Sequence, residues 1–81
     1  MKKIEVISDD RIGLVGEISK VIGRVNGNIV NHTATVKKDS SGVPISHFLA
    51  YVELDSGLDT ESLTRRLKKI RNVRQVRITE S

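Results

Sequence analysis

The chain opens on an alternation. Ile4 and Val6 are set between Lys3 and Glu5, the period of two that a half-buried strand requires, so a strand is predicted from about Lys2 to Ser8. Asp9-Asp10-Arg11 breaks this pattern, and the apolar period then lengthens. Leu14, Val15, Ile18, Val21, Ile22 and Val25 recur at the spacing of one helical stripe. Asp10 is a candidate N-cap, because its carboxylate can accept from the unpaired amides of a first turn. Asn26-Gly27 ends the helix, since both residues tolerate positive φ. The stretch from Asn28 to Lys38 is rich in Val, Ile and Thr and predicts a long strand. Lys38 to Gly42 reads as a turn, and Ile45 to Leu54 as the strand that completes a hairpin, with Pro44 at its start. After Asp55-Ser56-Gly57, Leu63, Leu67 and Ile70 form a second helical stripe, capped by Asp59 or Thr60. Arg71-Asn72 turns the chain, and Val73, Val76 and Ile78 mark a last strand.

Strand, helix, strand, strand, helix, strand is the order of two interlocked split βαβ units. It predicts an α+β, ferredoxin-like βαββαβ sandwich, with a four-stranded antiparallel sheet and two helices on one face. The expected core is Ile4, Val6, Leu14, Ile18, Val21, Ile22, Phe48, Ala50, Val52, Leu63, Leu67, Ile70, Val76 and Ile78. In the second strand the pattern selects no face. Val30, His32, Ala34 and Val36 compete with Ile29, Asn31, Thr33 and Thr35, and a β-bulge would mix the two sets.

With 81 residues there is room for one domain, spanning 1–81. Aromatic residues are only 2%, so the core has few large side chains, and burial against a second copy is expected. No apolar run approaches the ~18 residues of a membrane span, and the N-terminus turns polar too soon for a signal peptide. A cytoplasmic setting away from membranes is the expectation. The absence of cysteine excludes disulfides and thiolate metal sites. The net charge is +4, and Arg65, Arg66, Lys68, Lys69, Arg71, Arg74 and Arg77 crowd the C-terminal stretch. A solvated helix face with cations toward its C-terminus accounts for them, and a basic patch for anionic partners is the other reading.

Catalytic chemistry finds little support. His32 and His47 fall on strands with no ligand-spaced partner, no Ser sits on a nucleophile elbow, and no P-loop or dinucleotide fingerprint is present. A binding module is expected, not an enzyme, with no cofactor. Gly13-Leu14-Val15-Gly16 has the G-x-x-G form of the KH nucleic-acid clamp. Leu14 and Val15 belong to the core stripe, however, and the helix a KH domain needs before the loop is replaced by a strand. An RRM-like sheet needs stacking rings on adjacent strands, whereas Phe48 and Tyr51 point to opposite faces. Nucleic acid is therefore not the expected partner.

Three segments, in order and over essentially the whole chain, carry a family resemblance. They are Asp9-Asp10-Arg11-Ile12-Gly13-Leu14-Val15, Asn26-Gly27-Asn28-Ile29, and the run from Leu63 through Leu67-Lys68-Lys69-Ile70-Arg71-Asn72-Val73 to Ile78. The chain resembles the ACT family of small-molecule regulatory domains, most closely the C-terminal ACT segment of RelA/SpoT-type enzymes. Ile12 stands where that family usually has Pro, and Asn26 where it usually has Gly.

The resemblance implies a regulatory domain that binds an amino acid at a homodimer interface and controls a linked or associated metabolic enzyme. The implied ligand-binding residues are Asp10, Ile12, Gly13 and Leu14, joined by Asn28 from the neighbouring subunit. Physical chemistry is compatible with each role. Amides opening a helix suit a carboxylate, and Gly13 permits close approach. An Asn28 amide can donate to a carboxylate and accept from an ammonium, which Asp10 would also favour. A His found in serine-binding relatives is Ser8 here. The alternative is a dimerisation or interaction module that binds no small molecule.

Overall fold

The computed structural model describes all residues, Met1–Ser81. Six elements follow in the expected order: β1 (Lys2–Asp9), α1 (Leu14–Arg24), β2 (Asn28–Lys38), β3 (Pro44–Glu53), α2 (Thr60–Lys68) and β4 (Val73–Glu80). The strands form one antiparallel sheet in the order β2-β3-β1-β4, with β2 and β4 at its edges. Ile4, Val6 and Ser8 of β1 and Phe48, Ala50 and Val52 of β3 are buried under the helices. Leu14, Ile18 and Ile22 of α1 and Leu63 and Leu67 of α2 close the core from above, with Ile70 just beyond the end of α2. Each chain reversal has a local cause. Asn26 (φ 60) ends α1, where Gly27 N–H donates to Ile22 O at 3.0 Å, and Asn72 (φ 76) turns the chain into β4. In the β2–β3 turn, Asp39 Oδ1 accepts from the amides of Ser41 and Val43 at 2.8 and 2.9 Å.

Of the two candidates for the cap of α2, Asp59 takes the role, accepting from Glu61 N–H at 3.0 Å. Several other expectations are corrected. Asp10 does not cap α1. Its N–H donates to Pro44 O at 3.1 Å, so its backbone still continues the sheet, and the helix starts only at Leu14. Gly13 is the N-cap residue, at φ 82, with no side-chain cap bond. Val21, Val76 and Ile78 are half-buried against the core and not within it, because Val21 lies on the flank of α1 and the other two on an edge strand. Ile45, Ser8 and Ser46 are buried although the apolar pattern did not select them.

The undecided face of β2 is settled by a bulge. Ile29 pairs with Val52 but Asn31 with Tyr51, leaving Val30 as the extra residue. Ile29, His32, Ala34 and Val36 consequently share the helix-facing side with Val52, Ala50, Phe48 and Ser46, so the two candidate sets are mixed. His32 stacks on Phe48 with ring centroids 5.7 Å apart. Only Ile29 is even half-buried, because the helices do not extend over the rest of this edge.

Candidate functional site

Residues 10–13 carry the chain from the sheet up to the helical layer. Arg11 holds this loop in place: its Nη2 donates to Glu17 Oε2 at 2.7 Å and its Nε to Arg71 O at 3.3 Å. The hydrogen bond from Arg11 lowers the pKa of Glu17 from the ordinary carboxylate range, and the charges of Arg11, Arg71 and Lys20 act in the same direction. A second tie lies below the loop. Arg74, the extra residue of a bulge between β1 and β4, forms an ion pair with Asp9. The bonds to Arg71 and Arg74 join residues distant in sequence, and Arg11, although inside the Asp9–Val15 segment, was not among the implied site residues.

The loop exposes donors. Leu14 N–H donates to Arg11 O at 3.4 Å, and Glu17 N–H to Gly13 O at 3.0 Å. The amides of Ile12, Gly13, Val15 and Gly16 have no protein acceptor. The helix dipole adds positive potential at the same place. Asp10 is exposed, Ile12 is fully exposed at 101%, and the side chain of Leu14 is anchored in the core. Gly13 at φ 82 holds a left-handed conformation that L side chains disfavour, and a Cβ there would meet nothing within 4 Å. Near this end of the sheet Ser8 pairs across the strands with Ser46. Both are buried, and Ser8 Oγ has no hydrogen-bond partner.

Asn28 is not part of this cluster within one protomer. It lies at the far end of β2, paired with Glu53, and its Nδ2 donates to Glu53 Oε1 at 2.9 Å. The loop adjoins Pro44, at the other end of the same β3 strand, a separation of about 30 Å at the usual rise per residue. Asp10, Ile12, Gly13 and Leu14 are thus brought together, and Asn28 is held apart. Along β2, between these two ends, Val30 and Val36 are each more than half exposed on an edge with no strand beside it.

No helix is long and apolar enough to cross a membrane. A family model described as an ACT domain matches residues 2–77. No curated protein matches the sequence. Among solved structures, the ACT domain of a GTP pyrophosphokinase from Chlorobium tepidum superposes with a TM-score of 0.69 at 19% identity, covering 96% of this chain and 95% of that one. A formyltetrahydrofolate deformylase from Pseudomonas syringae gives 0.73 at 20% identity; the match covers 96% of this chain but only 26% of the deformylase. The P2 domain of the chemotaxis kinase CheA from Thermotoga maritima, solved in complex with the response regulator CheY, gives 0.63 at 15% identity, over 99% and 95% of the two chains. At these identities the likeness is one of fold.

Proposed function

The chain belongs to the ACT domain family, a family of regulatory modules, and from that premise we propose that it binds an amino acid between two copies of itself and so controls a linked or associated metabolic enzyme. The observation that supports this reading is that the loop at residues 10–13 and Asn28 lie near opposite ends of an edge strand whose outer side is open. Antiparallel pairing of β2 with β2 of a second copy, centred on Thr33, sets Asn28 of the partner subunit opposite Lys38. That position is at the end of the sheet where the loop lies. The same register sets exposed Val30 opposite exposed Val36, so apolar side chains meet apolar side chains. It also removes an eleven-residue open edge of the kind that invites aggregation. A ligand carboxylate is received by the free amides of Ile12, Gly13, Val15 and Gly16. Its ammonium lies toward Asp10 and the side-chain oxygen of Asn28 from the partner. Regulation follows if the ligand favours one arrangement of the two copies over another.

Calorimetry with each common amino acid at millimolar concentration, on a dimer confirmed by ultracentrifugation, tests the proposal. Heat is expected for one or a few small amino acids. Asn28→Ala should weaken that binding by about tenfold to a hundredfold, as for a lost hydrogen bond to a charged group. Val36→Lys should weaken the dimer and the binding together. A second reading draws support from the bond between Asn28 and Glu53, which already occupies one donor of the amide. In it the chain is an interaction module without a small ligand. A dimer that persists while no amino acid gives heat or chemical-shift change near Gly13 would select that reading.

A further inference from the structure

The helical layer carries a feature the amino-acid site does not use. Between α1 and α2 runs an open groove of about 640 Å³, lined by Glu17, Lys20, Val21, Arg24, Arg66, Lys69, Ile70 and Arg71. Five of the chain's 14 cations and one of its 10 carboxylates lie here. The groove therefore holds the whole net charge of +4, and the remaining charges balance at nine of each sign. The cations are also unspent. All four ion pairs of the fold use Lys2, Lys3, Arg11 and Arg74, and no carboxylate lies within 4.0 Å of Lys20, Arg24, Arg66, Lys69 or Arg71. The single carboxylate of the lining, Glu17, is already engaged by Arg11 from outside it.

Helix dipoles account for part of this. Arg24 and Arg66 lie in the last turns of their helices, where cations are favoured. They do not account for Lys20 in the middle of α1, for Arg71 beyond α2, or for the convergence of both helices on one groove. Grouping like charges works against the fold, and beyond the helix dipoles and the attraction of Lys20 and Arg71 for Glu17 it has no internal counterpart, so one is sought in a partner. The floor narrows the choice of partner, because Val21 and Ile70 give it an apolar strip between the cations. All the aromatic side chains, His32, His47, Phe48 and Tyr51, are on β2 and β3, so the helical layer offers no aromatic platform of the kind on which single-stranded bases stack. We infer that this groove docks an acidic polypeptide segment, one that sets carboxylates on either side of an apolar side chain. The groove is built by the helices and not by β2, so edge pairing leaves it open. Docking there does not depend on an amino acid being bound.

Fluorescence anisotropy of the full chain with a labelled Glu-rich peptide carrying a central Leu pair tests this inference. Saturable binding that weakens with salt is expected, with amide shifts confined to residues 17–24 and 66–71. Arg66→Glu and Lys69→Glu should each weaken it about tenfold, as loss of a charge-assisted contact predicts. Arg77→Glu, on the opposite face of the sheet beside Glu5, should leave it nearly unchanged. Replacing the peptide's Leu pair by Ser should weaken binding without changing charge. If a reversal lowers the melting temperature, Lys20→Ala and Lys69→Ala replace it. The inference is overturned by an absence of binding, by equal loss from Arg77→Glu, or by indifference to the Leu pair. Tighter binding of a U-rich RNA or of inorganic phosphate at the same residues would also overturn it.

Discussion

Gly13 and Gly16 lie three residues apart at the start of α1, and a Cβ on either meets nothing within 4 Å. Sterically they are equivalent, yet substitution should change stability in opposite directions. Gly13 is at φ +82, whereas Gly16 is helical. An L residue in the left-handed region costs about 1–2 kcal/mol. Gly13→Ala recovers part of that through the reduced freedom of its unfolded chain, leaving a net loss of about 1 kcal/mol. Gly16→Ala carries no such strain and gains the helix preference of Ala, about 0.5–1 kcal/mol. Gly13→Asn should fall between Gly13→Ala and wild type, because Asn tolerates the conformation, as Asn26 and Asn72 do here. Urea unfolding followed by circular dichroism, at one fixed protomer concentration so that association does not contribute, measures all three. In thermal melts a change of 1 kcal/mol corresponds to about 4–8 °C in a domain of this size. If Gly13→Ala stabilises as much as Gly16→Ala, the loop is not left-handed at Gly13, and the amides of residues 12–16 are not presented as described.

Leu67→Ala removes a fully buried side chain and should cost about 2–5 kcal/mol, whereas Arg66→Ala beside it, being exposed, should stay within about 0.5 kcal/mol; denaturant midpoints compare them. Gly27→Ala would place a Cβ 2.6 Å from Ile22 Cγ2 and 3.0 Å from Leu54 Cδ2; Ile22 is locked in the core, so a loss of about 1–3 kcal/mol is expected by the same assay. Glu17 should titrate below the ordinary carboxylate range by carboxyl-carbon NMR and return toward it in Arg11→Gln. Because its folded pKa is the lowered one, its contribution to stability is present above the unfolded value and is lost as pH falls through the folded value. An unmoved Glu17 titration in Arg11→Gln would show that the Arg11–Glu17 bridge does not hold the loop in solution.

The element order was legible in the sequence because it is written in local periods. Ile4 and Val6 alternate, while Leu14, Ile18 and Ile22 recur at helical spacing, and Asn26, Gly42 and Asn72 stand where the backbone must take positive φ. Arg65, Arg66, Lys68 and Lys69 were readable as exposed for the same reason, since the stripe of Leu63 and Leu67 assigns the other face of α2 to solvent. What depends on a partner strand or on the path between layers was not readable. The face of β2 turned on one extra residue, Val30, which shows only in its pairing with β3. Asp10 looked like a cap by residue type, but its amide was needed by Pro44, and the crossing to α1 left capping to a glycine. Ser8 is buried only because Ser46 and the helical layer close over it. The distance between Asn28 and the loop at residues 10–13 is set by the length of β3, and the groove draws its cations from α1, α2 and the residues just after α2, which only packing in the helical layer brings side by side. Local pattern determines which residues are apolar, turning or charged; tertiary structure decides which of them meet, because meeting is a property of register and packing across segments far apart in the chain.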